Sequence, residues 1–280
     1  MEVAERIGES GADLTRAERR VAEVVLAQPQ LVAFGTVAEL AAAAGSGAAT
    51  VVRFATKLGF EGFTDLQAVV QRDLARQLRP AAERIREPAA NDAISRHLEF
   101  ELDNVRATLS GLDPLALREA VEQLADPRRR VFLLSGDASI GVATQFTADL
   151  TALRDGVAII NGNDVAVQRL LALLTPSDVV VTIDLRRYDR WVVEAAGTAK
   201  TSGAWCLAVT DSVLSPLTAV ANRTLVVEAA SAGPFDSHVG TLALLNLLAA
   251  GVADRLRTVA ADRLDRTEMA WRAHDSLTDR

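Results

Sequence analysis

Near residue 130 the spacing of the apolar residues changes period, and no single layer architecture accommodates both halves. Before that point they recur three or four apart: Val21, Val24 and Val25 in one segment, Val37, Leu40 and Ala41 in the next, then Val51, Phe54 and Leu58. Beyond it, short apolar runs at 131–134, 157–160, 179–183, 205–209 and 225–227 alternate with amphipathic stretches. A buried parallel sheet covered by helices needs that alternation. The expected fold is an all-α domain joined to an α/β domain with a five-stranded, doubly wound parallel sheet. With 280 residues, each half can bury its own core. The expected divisions are a helical domain over 1–77, a linker with connecting helices over 78–125, the sheet-bearing domain over 126–256 and a solvated helical tail over 257–280.

Local punctuation supports this division. Pro29, Gly35, Gly45 and Gly59 interrupt the early helices, and Thr36 and Thr64 are the expected N-caps of the segments that follow. Pro80 and Pro88 mark the linker. A helix is expected to restart at Asn91 or Asp92, with Ile94, Leu98, Leu102, Val105 and Leu109 on one stripe. Asp113-Pro114 opens another that Pro127 ends. Residues 242–256 read as a buried packing helix. No run of about 18 apolar residues suggests a membrane span, and residues 1–9 lack a signal-peptide core, so a cytoplasmic protein is expected. Cys206 is the only cysteine and His97, His238 and His274 lie far apart, so no disulfide, metal site or cofactor is expected; Cys206 reads as a small buried hydrophobe.

Residues 36–63 meet the needs of a helix-turn-helix. Ala41 is small where two helices cross, Gly45 tolerates positive φ in the turn, and Val51, Phe54 and Leu58 line the inner face of the second helix. Thr36, Gly47, Ala48, Thr50, Arg53 and Lys57 are then the candidates for contact with a double-stranded DNA operator. Arg53 leads, because its planar fork fits guanine O6/N7 or a phosphate oxygen. Spacing alone leaves a second reading open, a small helical protein-interaction domain with a glycine turn. The ordered motifs LTRAERRVAEVVLAQPQLVAF, TVAELAAAAG and ATVVRFATKLGFEGF resemble the N-terminal domain of the RpiR (MurR/RpiR) family of bacterial transcriptional regulators, which implies DNA binding. Where that family carries Val-Ser at the turn, this chain has Ser46 and Gly47, a weaker cap costing about 1 kcal/mol. Net charge is −7, and through residue 77 eight Arg/Lys face ten Asp/Glu, a net of −2. Non-specific DNA affinity should therefore be modest, and a homodimer or homotetramer is expected, with residues 242–256 a candidate for its interface.

Residues 130–256 resemble the sugar isomerase (SIS) domain that the family joins to its DNA-binding half. The resemblance implies a small-molecule effector at the carboxyl ends of the strands. Candidate effector residues are Ser135, Ser139, Asp184, Arg186, Arg187 and Ser215. Ser139 retains a serine of the family's first loop, whereas Asp137 stands where glycine is commoner. The hydroxyl-rich loop expected after the third strand is replaced by Asp184-Leu185-Arg186-Arg187-Tyr188-Asp189. Its arginines suit a phosphate or carboxylate, or they pair with Asp184, Asp189 or a neighbouring subunit. Ser215 before Pro216 reads as a helix cap more readily than as a ligand. No His/Glu pair accompanies Glu228, so no catalytic residue is assigned. The expected function is a DNA-binding transcriptional regulator that responds to a small anionic metabolite, sugar-phosphate-like or a carboxylate. The alternative is a sugar-phosphate isomerase or binding enzyme with an accessory helical domain.

Overall fold

Capping chemistry sets several helix starts in the N-terminal half of the computed structural model, which describes residues 3–10, 14–78, 81–86, 92–161, 164–213, 215–276 and 278. The chain divides into two units, Met1–Arg86 and Glu87–Arg280. The first contains α1 (Val3–Ser10), α2 (Arg16–Ala27), α3 (Pro29–Phe34), α4 (Val37–Ala43), α5 (Ala48–Lys57), α6 (Phe63–Leu78) and α7 (Ala81–Arg84). Thr15 with Glu18 and Thr36 with Glu39 form reciprocal capping boxes at α2 and α4, and Pro29 occupies the start of α3. Thr64 is not a cap: α6 begins at Phe63, and Asp65 reaches back to accept from the Glu61 N–H at 3.2 Å. Val21, Val25, Leu40, Val51, Phe54, Leu58 and Leu66 close the core of this unit. Pro80, Pro88 and Asn91, expected in and beside the linker, lie outside the described residues.

The second unit comprises α8 (Ala93–Ser110), α9 (Pro114–Ala125), β1 (Arg130–Ser135), α10 (Ile140–Leu153), β2 (Val157–Ile160), α11 (Asp164–Ala172), β3 (Asp178–Ile183), α12 (Arg190–Thr201), β4 (Trp205–Thr210), β5 (Arg223–Val226), α13 (Val239–Arg255) and α14 (Arg257–Ala273). All five strands are parallel in the order β2-β1-β3-β4-β5. Val227 falls just beyond β5. Alternate residues feed two cores: Val131, Leu133, Val179 and Val181 face α9, α10 and α13, whereas Phe132, Leu134 and Val180 face α11 and α12. At the opposite edge from the strand ends, Arg130 grips Asp178 with two 2.8 Å bonds in register across β1 and β3.

Helices α8 and α9, read from sequence as connecting elements, belong to this second unit. Ala116, Ala120 and Leu124 of α9 enter its core. Helix α8 is inverted: its buried residues are Asn104 and Thr108, while Ile94, Leu98 and Leu102 are exposed. Asn104 donates to Ala230 O at 2.7 Å and accepts from Ala230 N–H at 3.1 Å, and the Thr108 hydroxyl accepts from Glu228 N–H at 2.9 Å. These clamps fasten the segment after β5. Helix α13 buries Leu244, Leu245, Leu248 and Val252, as expected of a packing helix. Among the described residues no single helix is long and apolar enough to cross a membrane. Cys206 is buried, which pushes its thiol up to about 11.

Candidate functional site

Helices α4 and α5 are joined by a turn whose geometry depends on Gly45, at φ +54°, a conformation that costs L-residues energy. Arg20 of α2 fixes that turn by donating from Nε to Ala44 O and from Nη2 to Gly45 O, each at 3.1 Å. Sequence reading missed this arginine, since nothing in its local spacing points across 24 residues. Val51, Phe54 and Ala55 seat α5 on the core, leaving Ala48, Val52, Arg53, Thr56 and Lys57 on the exposed side, with Thr50 partly exposed. Arg53 receives support from its own helix, donating from Nη2 to Thr50 Oγ1 at 3.2 Å. Gly47 caps α5 without a side-chain bond, so backbone N–H groups at that end keep donor capacity.

Two sequence candidates are more committed than their positions suggested. The Lys57 ammonium turns back to the Glu18 carboxylate at 3.1 Å, tying α5 to α2. The Thr36 hydroxyl serves the capping box, accepting from Glu39 N–H at 3.2 Å and donating to Glu39 Oε2 at 2.9 Å.

In the second unit, the loops after β1, β3 and β4 meet at the carboxyl edge of the sheet. Ser135 and Ser139 are buried there, and neither hydroxyl has a partner. Gly136 is required by close packing, because a Cβ at that position would lie 2.3 Å from Asp184 Oδ1. Asp184 is not a free ligand: its Oδ2 accepts from the Asp189 N–H at 2.8 Å, and Asp189 Oδ2 accepts from the Asp137 N–H at 2.9 Å. The chain's own carboxylates thus satisfy backbone donors in the loop after β1 and at the start of α12. Burial pushes the Asp184 carboxyl up to about 6, and the nearby Asp189 and Asp211 charges act in the same direction. Burial also pushes the His238 imidazole at the start of α13 down, opposed by a hydrogen bond to the Ala138 backbone.

The adjacent arginines separate. Arg186 lies between Asp211, 3.5 Å away, and Asp236, 3.4 Å away, so its partners are neither of the aspartates expected from sequence. Asp211 also accepts from Tyr188 Oη at 2.9 Å. Arg187 is exposed, sits at φ +60° and has no ion-pair partner among the described residues. Ser215 is buried and caps the short 3-10 turn at Pro216–Ala219 by accepting from Leu217 N–H at 3.3 Å. Leu214, in the same loop, lies outside the described residues. A cavity of about 520 Å3 opens beside this edge between β1, β2, α11 and α12. Ser135 is the one effector candidate among its lining residues; Asn161, Gln168, Trp191 and Glu194 line it without having been singled out, because helical spacing alone does not reveal which solvated face borders a void.

Residues 1–77 match the model of the helix-turn-helix domain of the rpiR family, and residues 123–251 match the SIS domain. The chain is 32% identical over 230 residues to an uncharacterized HTH-type transcriptional regulator of Haemophilus influenzae, covering 80% of this chain and 79% of that protein. It is 30% identical over 253 residues to the HTH-type transcriptional regulator HexR of Pseudomonas aeruginosa, covering 87% and 86% respectively. The sugar isomerase domain of an RpiR transcription factor from Sphaerobacter thermophilus superposes with a TM-score of 0.61 at 27% identity, over 64% of this chain and 99% of that one. The NanR protein of Vibrio vulnificus, solved with ManNAc-6P, shares the fold over 99% of both chains, with a TM-score of 0.57 at 20% identity.

Proposed function

The chain belongs to the RpiR family of helix-turn-helix transcriptional regulators, and from that premise we propose how it reads DNA and what it senses. Residues 1–77 form the DNA-reading part, with α5 in the major groove. The observation that carries this reading is Arg53, exposed on α5 and braced by Thr50 for a base or phosphate contact. Gly47 and Ala48 are small enough for the helix N-terminus to approach a phosphate. Lys57 contributes less, being held by Glu18, and Thr36 acts through the cap of α4. In anisotropy titrations of the protein's own promoter, Arg53→Ala should weaken binding by about 1–3 kcal/mol with unchanged thermal stability. Unchanged affinity would remove α5 from the reading.

The α/β unit is the effector unit, and its effector is a small anionic metabolite, sugar-phosphate-like or a carboxylate, bound at the carboxyl edge of the sheet. Support comes from the SIS fold and from Arg187, a cation with no ion-pair partner among the described residues, held in a costly backbone conformation. Arg186 organises the loop through Asp211 and Asp236 rather than meeting the anion. The buried Ser139 hydroxyl, with no partner among the described residues, is a further donor. Arg187→Ala should lose most of the response to glucose 6-phosphate in calorimetry, whereas equal binding by the variant would exclude this role. No observation favours a catalytic step, and sugar-phosphate isomerisation by the purified chain would overturn that reading. The regulator acts as a homodimer or homotetramer through the α/β unit, because a two-fold operator needs paired readers.

A further inference from the structure

The cavity between α11 and α12 has a chemistry of its own. Trp191, Glu194, Ala195 and Thr198 share the face of α12 that borders it, at the spacing of successive helical turns. Asp137 enters from the loop after β1, and Asn161 and Gln168 bring side-chain amides from the end of β2 and from α11. Ser135 adds a buried lining residue whose hydroxyl has no partner. No Lys, Arg or His is among the described lining residues, and neither the Asp137 nor the Glu194 carboxylate has an ion-pair partner among the described residues. Two unpaired carboxylates disfavour a second anion in the same space and favour a cation.

We propose that this cavity binds the protonated amine of a small hydroxyl-bearing metabolite. Glu194 and Asp137 supply the counter-charge, Trp191 offers its ring face to the ammonium, and the amides and hydroxyls of Asn161, Gln168 and Thr198 take the neutral polar groups. The cavity's volume of about 520 Å3 accommodates a molecule of monosaccharide size with room for a substituent. This inference rests on the reading of the α/β unit as the effector unit and deepens it: the effector carries an amine as well as an anion, the amine entering the cavity and the anion remaining outside it.

Calorimetric titration of the full chain with glucosamine 6-phosphate, glucose 6-phosphate and glucosamine, at slightly acidic pH where the amine is protonated, tests the two charges separately. Glucosamine 6-phosphate should bind at least about tenfold more tightly than glucose 6-phosphate. Glu194→Gln should abolish that preference without changing operator affinity in the absence of sugar, and Trp191→Ala should reduce it. Equal binding of the two phosphates, or a preference that survives Glu194→Gln, overturns the amine site while leaving the anionic effector intact. Equal binding of glucosamine and glucosamine 6-phosphate leaves the amine site standing and removes the anion reading. Absence of binding by all three overturns both.

Discussion

Burial raises the Asp184 carboxyl from 3.8 to about 6, although the Asp189 N–H bond pulls the other way. Between those values the folded chain holds a proton that the unfolded chain has released. The resulting contribution to stability is complete below the unfolded value and is lost as pH rises through about 6. At neutral pH the ionised group is therefore a liability on the order of 3 kcal/mol. Asn keeps the shape and can still accept from the Asp189 N–H, so Asp184→Asn should raise the unfolding temperature at about pH 7 and leave it nearly unchanged at about pH 4. Thermal unfolding at both pH values checks this, and equal shifts at the two would contradict it. The same neighbourhood shows what residue type alone leaves open. Arg186 and Arg187 are consecutive, yet one is enclosed by aspartates from two other loops and the other is exposed. Distant chain segments made that distinction.

Helix α8 presents its apolar stripe outward because its polar side chains are needed inward. Asn104 and Thr108 satisfy backbone groups of the segment after β5 that packing leaves dry, and buried polar groups without partners are costly. Leu98, Leu102, Val105 and Leu109 then follow a four-three-four spacing suited to a helix-on-helix seam. For the proposed oligomer this face is a better candidate contact than the helix at 242–256 expected from sequence, because α13 spends most of its apolar surface on its own core. Leu98→Asp combined with Leu102→Asp should convert the proposed oligomer to monomers in sedimentation velocity and weaken operator binding at least about tenfold, with the α/β unit still folded. An unchanged sedimentation coefficient would place the contact elsewhere. Asn104→Ala tests the inward face: stability should fall by about 1–3 kcal/mol, as expected when a two-way amide clamp is lost.

For the molecule as a whole, few cations are free to meet DNA. Arg6, Arg19, Arg20 and Arg72 donate to carbonyls of their own unit and Lys57 pairs with Glu18, so on the proposed reading the first unit makes a small number of phosphate contacts. The slope of log affinity against log salt for operator binding should therefore be shallower than about −6 even for a dimer. A steeper slope would reveal cationic contacts beyond α5. Much of this architecture was legible in the sequence. The change of apolar period separates helical segments from a five-stranded sheet, and Gly45 with Val51, Phe54 and Leu58 marks the turn before α5 and the inner face of that helix, because periodicity and turn chemistry are local properties of the chain. Tertiary structure decided the remainder. Helices α8 and α9 joined the second unit, Lys57 turned inward, Arg186 acquired Asp211 and Asp236, and a cavity opened beside Trp191 and Glu194. Each of those outcomes depends on which segments far apart in the chain meet, and the pairing of a charge or the border of a void is fixed only when they do.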